Sequence, residues 1–236
     1  MKVLAIDTSG NNCSAAIVDE SKVIADFDCN TGTTHSQNLM PMLEQIQKFS
    51  ELELDDIDFF ACSIGPGSFT GLRIGIATVK GMALSLNKKV IAVPSLVGLA
   101  YNVPYFDGII CSVIDARNDN VYAALFKYDG KPYMIGDYIS DTVDSLIDTL
   151  KTSNDNIMFV GDGATAYKNK FIDSFKDKAF FMPSHLNCQS AVSVAKAALN
   201  KANLGEFDDF NSITPLYLKK SQAERMLDLN ESNTNM

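Results

Sequence analysis

Short apolar runs and longer stretches of helical periodicity follow one another along this chain in an order that occurs twice. Residues 2–7, 13–19 and 22–29 are short runs separated by polar turns, which predicts three strands paired as antiparallel neighbours. Between 36 and 49, Leu39, Met42, Leu43, Ile46 and Phe49 recur at helical spacing. Pro41 suits a helix only in its first turn, so Ser36 or Asn38 is expected as the cap. Residues 58–64 read as a buried strand, 76–86 as a helix, 89–93 as a strand, and Ser95 opens a helix after Pro94.

The same order starts again at residue 109. Strand-like runs at 109–115, 121–128 and 133–139 precede a helix at 142–150 with Val143, Leu146, Ile147 and Leu150 in phase. A strand at 157–160, a helix at 164–175, a strand at 179–182 and a helix at 191–203 complete the copy. Asp7 and Asp115 fall at matching points. A duplicated unit of this kind predicts two similar α/β domains, expected at 1–104 and 105–225, with the joint near 102–108. Residues 213–218 read as extended and 219–229 as a short helix, and 226–236 is expected to be a disordered polar tail.

The stretch from Ser63 to Gly75, SIGPGSFTGLRIG, interrupts this regularity. Pro66 ends the preceding strand because it has no N–H for a ladder, Gly65 and Gly67 allow turn geometry, and Ser68 or Thr70 is expected to cap the next helix. That helix is apolar nearly all round. Leu72, Ile76, Val79, Ala83 and Leu86 form one stripe, Gly71, Gly75 and Thr78 a stripe of small residues, and Ile74, Ala77, Gly81 and Leu84 fill much of the rest. Glycine costs a helix about 1 kcal/mol against alanine, so the small stripe implies close approach of another backbone. Either a partner or the chain itself can supply it.

Charge narrows the function classes. A net charge of −9 makes the chain a poor polyanion binder by itself, since nucleic-acid affinity rests on Lys and Arg meeting phosphate. The five cysteines lack any C-x-x-C and sit mostly in apolar runs, which reads as buried thiols in a reducing compartment. No run reaches membrane-spanning length and the start lacks the pattern of a signal peptide, so a cytoplasmic protein without membrane contact is expected.

Duplicated sheet domains with an acidic turn after the first strand resemble the actin, sugar kinase and Hsp70 ATPase superfamily. That resemblance implies nucleotide bound between the domains, with Asp7, Thr8, Ser9 and Asp115 at phosphate loops and Gly161 and Gly163 near adenosine. The Asp7 turn reads equally as one in which the carboxylate bonds its own backbone, and the Gly161 segment as a plain strand-to-helix turn.

The run from Ser63 to Gly75 resembles more narrowly the signature of the bacterial TsaB (YeaZ) family. Ile6-Asp7-Thr8-Ser9, His35-Ser36, Leu39-Met40-Pro41, Asp115-Ala116-Arg117 with Val121-Tyr122, and Pro215-Leu216-Tyr217-Leu218-Lys219 agree with it in order. The resemblance implies a supporting subunit in making threonylcarbamoyladenosine in tRNA, paired with its catalytic paralogue TsaD and served by the ATPase TsaE. It implies a homodimer when TsaD is absent, tRNA contact only through the complex, and ATP or ADP at the complex interface but none bound tightly. It also implies that partners meet through the first two helices. On helical phase the expected interface residues are His35, Leu39, Leu43, Ile46, Gly71, Arg73, Ile74, Gly75, Thr78 and Met82. The catalytic relatives carry His-x-x-x-His where this chain has His35 and Leu39, so no metal site and no catalytic residue are expected, and the chain is read as non-catalytic by itself. The alternative is a free-standing ATP-binding phosphotransferase of the sugar kinase type, weakened by Ala116, which offers no hydroxyl at the second turn.

Overall fold

The computed structural model describes residues 1–32 and 34–218. The first half runs β1 (Lys2–Asp7), β2 (Cys13–Asp19), β3 (Val23–Cys29), α1 (His35–Ser50), β4 (Phe59–Ser63), α2 (Phe69–Leu86), β5 (Lys89–Val93) and α3 (Ser95–Ala100). The second runs β6 (Ile109–Asp115), β7 (Asn120–Asp129), β8 (Lys131–Thr142), α4 (Val143–Leu150), β9 (Ile157–Val160), α5 (Asp162–Ala166), α6 (Lys168–Phe175), β10 (Ala179–Phe181) and α7 (Ala191–Asn203). Each half makes one mixed sheet. The orders β3-β2-β1-β4-β5 and β10-β9-β6-β7-β8 are the same topology used twice. Three strands pair antiparallel through short turns, and two more join in parallel, which requires the intervening helices as crossovers. Asp7 and Asp115 both end the first strand of their sheet.

The strand at each sheet's centre is apolar on both sides because both sides are covered. Leu4 and Ile6 of β1 pack with α1 and α2, whereas Val3 and Ala5 pack with α7. In β6, Cys111 and Val113 pack with α4 and α6, whereas Ile110 and Ile114 meet α3. The sheets therefore keep to the halves, but the last helix of each half crosses to the other's sheet. Leu96 and Leu99 of α3 are buried in the second core, and Val194, Ala195 and Ala198 of α7 in the first. Alanines let α7 lie close on the sheet, and the two crossing helices touch each other.

Four local expectations change. Thr34, not Ser36 or Asn38, precedes α1, and its amide and hydroxyl donate to Gln37 Oε1 at 3.4 and 3.0 Å. Pro41 therefore lies beyond the first turn, inside the helix. Helix α2 begins at Phe69 rather than near Ile76, capped by Ser68, whose Oγ accepts from the Gly71 amide at 3.2 Å. The expected helix at 164–175 is two, because Tyr167 at the break leaves helical geometry, and its hydroxyl donates to Asp115. The helix expected at 219–229 and the tail at 226–236 lie outside the described residues.

Candidate functional site

The C-terminal ends of β1 and β6 face one another across a cleft of about 1020 Å³ between the halves. Ser9, Gly10 and Asn11 line it on one side with Gly67, Ser68, Thr70 and His35; Asp115, Ala116, Arg117, Tyr122 and Asp162 line it on the other.

The acidic turn after β1 is closed upon itself. The Ser9 amide and hydroxyl both donate to Asp7 Oδ1, at 2.8 and 2.6 Å. Asp7 is buried, and burial pushes its carboxyl up to about 6, against the Ser9 bonds that pull it down. Thr8 is also buried, and its hydroxyl donates to the Gly71 carbonyl at 2.7 Å. The Ser9 carbonyl accepts from the Ser68 amide at 2.7 Å. Of Asp7, Thr8 and Ser9, the expected first phosphate loop, only Ser9 reaches the cleft, and its hydroxyl is engaged.

On the opposite wall, Asp115 Oδ1 accepts from the Arg117 amide at 2.8 Å and from the Tyr167 hydroxyl at 2.9 Å. Asp162 Oδ1 accepts from the Asp115 and Gly163 amides, and burial raises its carboxyl above the usual range. Gly161 and Gly163 are buried against Val113 of β6, so the group this loop offers to the cleft is Asp162, not the two glycines.

The expected partner-facing residues divide. Leu39, Leu43 and Ile46 are at most 4 % exposed and lie in the first core, so they are not available to a partner. Gly71 and Gly75 are buried too. A Cβ on Gly71 would collide with the Thr8 carbonyl and crowd the His35 ring, and one on Gly75 would collide with Thr8 Oγ1. The backbone whose close approach these glycines permit is the chain's own β1 turn. His35 turns inward as well: Nε2 donates to the Gly10 carbonyl at 2.9 Å. Leu39, four residues on, is a core side chain, and among the described residues no group of three or more His, Cys, Asp and Glu side chains could hold a metal ion.

The outward side of α2 carries three of the expected interface residues, Ile74, Thr78 and Met82, together with Ala77, Gly81 and Leu84 from the rest of the helix. Ile74, Thr78 and Met82 are half-buried, Ala77 is exposed, Gly81 opens on free space, and Leu84 is 66 % exposed. Met40 on α1 is exposed. Arg73 is exposed at the start of this face, its guanidinium 3.8 Å from the centroid of the Phe69 ring and its Nε donating to the Tyr217 hydroxyl at 3.2 Å. Phe69 and Tyr217 are stacked, centroids 5.2 Å apart. The aromatic pair was not singled out from the sequence, because the residues are 148 positions apart by number and only the fold joins them. The signal for the outward stripe was present in Ile74, Ala77, Gly81 and Leu84; choosing between two apolar faces needed the sheet.

Comparison with known proteins places this geometry. Residues 30–227 match the family model described as "TsaD: tRNA N6-adenosine threonylcarbamoyltransferase". The chain is 30 % identical to the tRNA threonylcarbamoyladenosine biosynthesis protein TsaB of Bacillus subtilis over 95 % of its length and 96 % of the relative's. It is 30 % identical to TsaB of Haemophilus influenzae, with 96 % and 97 % covered. Among solved structures, YeaZ from Pseudomonas aeruginosa superposes with a TM-score of 0.78 at 26 % identity, covering 92 % of this chain and 99 % of that one. ROK hexokinase from Thermus thermophilus shares the fold, with a TM-score of 0.52 at 9 % identity over 86 % of this chain and all of the other. The duplicated sheets thus share their fold with that hexokinase, and the chain belongs to the TsaB family of tRNA threonylcarbamoyladenosine biosynthesis proteins.

Proposed function

We propose that this chain is a supporting subunit that binds TsaD, the catalytic paralogue, through the outward face of α2 and the exposed edge of α1, and so orders it for threonylcarbamoyl transfer to tRNA. The observation that carries this reading is the face itself: Ile74, Ala77, Thr78, Gly81 and Leu84 lie along one helix with no side chain at Gly81 to hold a partner away. A surface of small and apolar groups on a helix admits a second helix at short range, and unpaired it is an apolar patch of the kind that marks interaction sites. Similarity to transferases named tRNA N6-adenosine threonylcarbamoyltransferase over part of the chain supports a common ancestry with the proposed partner.

In this reading the chain supplies no catalytic side chain. His35 is held by Gly10, and the position where a second imidazole is expected is a buried leucine. ATP or ADP binds only weakly in the cleft of the isolated chain, because the Thr8 and Ser9 hydroxyls already serve the β1 turn. The same face forms a homodimer when TsaD is absent; TsaE and tRNA act on the assembled complex in the cytoplasm. The free-standing phosphotransferase is disfavoured: Asp7, the carboxylate it would use as general base, is buried beneath Ser9 and does not line the cleft.

Reconstitution tests the proposal. Unmodified tRNA, ATP and threonylcarbamoyl-adenylate are incubated with TsaE and with TsaD, this chain, or both, and the modified nucleoside is measured. Product only with both subunits is expected. Product from TsaD and TsaE without this chain, or from this chain and TsaE without TsaD, would overturn the assignment.

A further inference from the structure

Cys13 and Cys29 are paired residues of adjacent antiparallel strands, β2 and β3. Both face the first core: Cys13 is fully buried in it, and Cys29 packs half-buried against it. Directly opposed residues on one face of an antiparallel pair have Cα atoms about 4.5–5.5 Å apart, inside the range of about 4.4–6.8 Å that a disulfide spans. The Cα separation thus suits a disulfide, and the Cβ atoms of opposed residues, about 4.5–5.5 Å apart, need draw in by only about 1 Å for a bond to close. Both are free thiols here. Cys29 is also the one that solvent reaches, and its sulfur accepts from the side-chain amide of Asn38 on α1 at 3.6 Å.

We infer that Cys13 and Cys29 form a reversible cross-strand disulfide when the protein meets a peroxide, making the β2–β3 hairpin a thiol modification site beneath the first turns of α1. The Cys29 thiolate attacks one peroxide oxygen; the O–O bond breaks and the departing hydroxide takes a proton to leave as water, giving Cys29 sulfenic acid. The Cys13 sulfur then attacks the Cys29 sulfur; the S–O bond breaks, and the hydroxide leaves as a second water with the Cys13 proton. Two thiols lose two electrons and two protons, and the peroxide is reduced to two waters. Burial pushes the Cys13 thiol up to about 11, so the second step is slow and the bond accumulates over a long exposure. Closing the bond draws the Cys29 sulfur from Asn38 and constrains the hairpin.

Cys188 is the competing thiol. It is half-buried, and the Asn12 side chain, next to Cys13 in sequence, bonds it. It lies on the segment before α7 rather than opposite Cys29, so register favours Cys13.

The test uses the full chain treated with hydrogen peroxide, quenched, alkylated and weighed intact, followed by peptide mapping without reduction. The expected product has lost two hydrogens, links the Cys13 and Cys29 peptides, returns to five alkylatable thiols with dithiothreitol, and melts about 5 °C higher in non-reducing buffer. Cys29→Ala, at the half-buried position, keeps the fold and abolishes the link, and Cys13→Ala repeats the result from the other side. A bond mapped to Cys188, or five alkylatable thiols remaining after prolonged peroxide, would overturn the inference.

Discussion

The hydroxyl of Thr8 donates to the carbonyl of Gly71 at 2.7 Å, joining the turn after β1 to the first turn of α2. Helix α2 can come this close only because two successive turns on that side, at Gly71 and Gly75, have no side chain. The glycine-flanked signature is thus the footprint of the chain's own acidic turn.

Substituting Gly75 tests that relationship. Gly75→Ala places a methyl group against Thr8 Oγ1, and overpacking of this kind costs about 1–3 kcal/mol. Thr8→Ala alone loses one buried hydrogen bond, worth about 1 kcal/mol. Because Thr8→Ala also removes the atom that the new methyl strikes, the double variant is expected to be less destabilised than the sum of the two. Urea unfolding of all four proteins measures the coupling; strict additivity would contradict the contact.

Asp7 sets a pH dependence. Its carboxyl is raised from an ordinary 3.8 to about 6 in the folded chain. The folded state therefore holds a proton that the unfolded state has released between those values. The group's contribution to stability is fully present below about pH 4 and is lost as pH rises through 6, by roughly 3 kcal/mol in all. Asp7→Asn keeps an acceptor for Ser9 and cannot titrate. The wild type is expected to lose stability relative to Asp7→Asn between pH 4 and 7, as followed by thermal melts; a difference independent of pH would show that Asp7 is not held in this environment.

The exchanged helices predict that the halves do not fold apart. A fragment of residues 1–104 lacks α7 and exposes Val3, Ala5, Ala16 and Phe59, all buried in the whole chain. It is expected to be unfolded or aggregated by circular dichroism, and a cooperatively melting fragment would contradict the exchange.

The two apolar faces of the helical pair have opposite mutational signatures. Leu43→Ala opens the first core and is expected to cost 2–5 kcal/mol. Leu84→Arg lies on the outward face and is expected to change stability by less than about 0.5 kcal/mol. Chemical denaturation separates them directly, and comparable losses would place Leu84 in a core after all.

Much of the fold is legible in the chain because its signals are local. The runs at 2–7 and 109–115 bury both faces and read as continuous apolar strands, and the repeated element order, weaker in its second copy, predicts two similar α/β units, which the two sheets of one topology match. The exchange of α3 and α7 was not legible, because Leu96 and Val194 carry no mark of which sheet they meet. The site divided on the same ground. Arg73 is charged, which marks it as solvent-suited in the sequence, and it is exposed in the structure. Leu39, Leu43 and Ile46 are apolar at helical spacing, which says that they are covered but not by what. The small stripe at Gly71 and Gly75 announced a close approach, and only the structure identifies Thr8 as the neighbour.

Titration calorimetry of TsaD with this chain and with Leu84→Arg asks whether the outward face of α2 receives TsaD. A one-to-one complex is expected with the wild-type chain and at least a tenfold weaker one with the variant, a loss of about 1.4 kcal/mol or more, while Leu84→Arg melts as the wild type does. Equal affinity for the two proteins, or no complex with either, would contradict it.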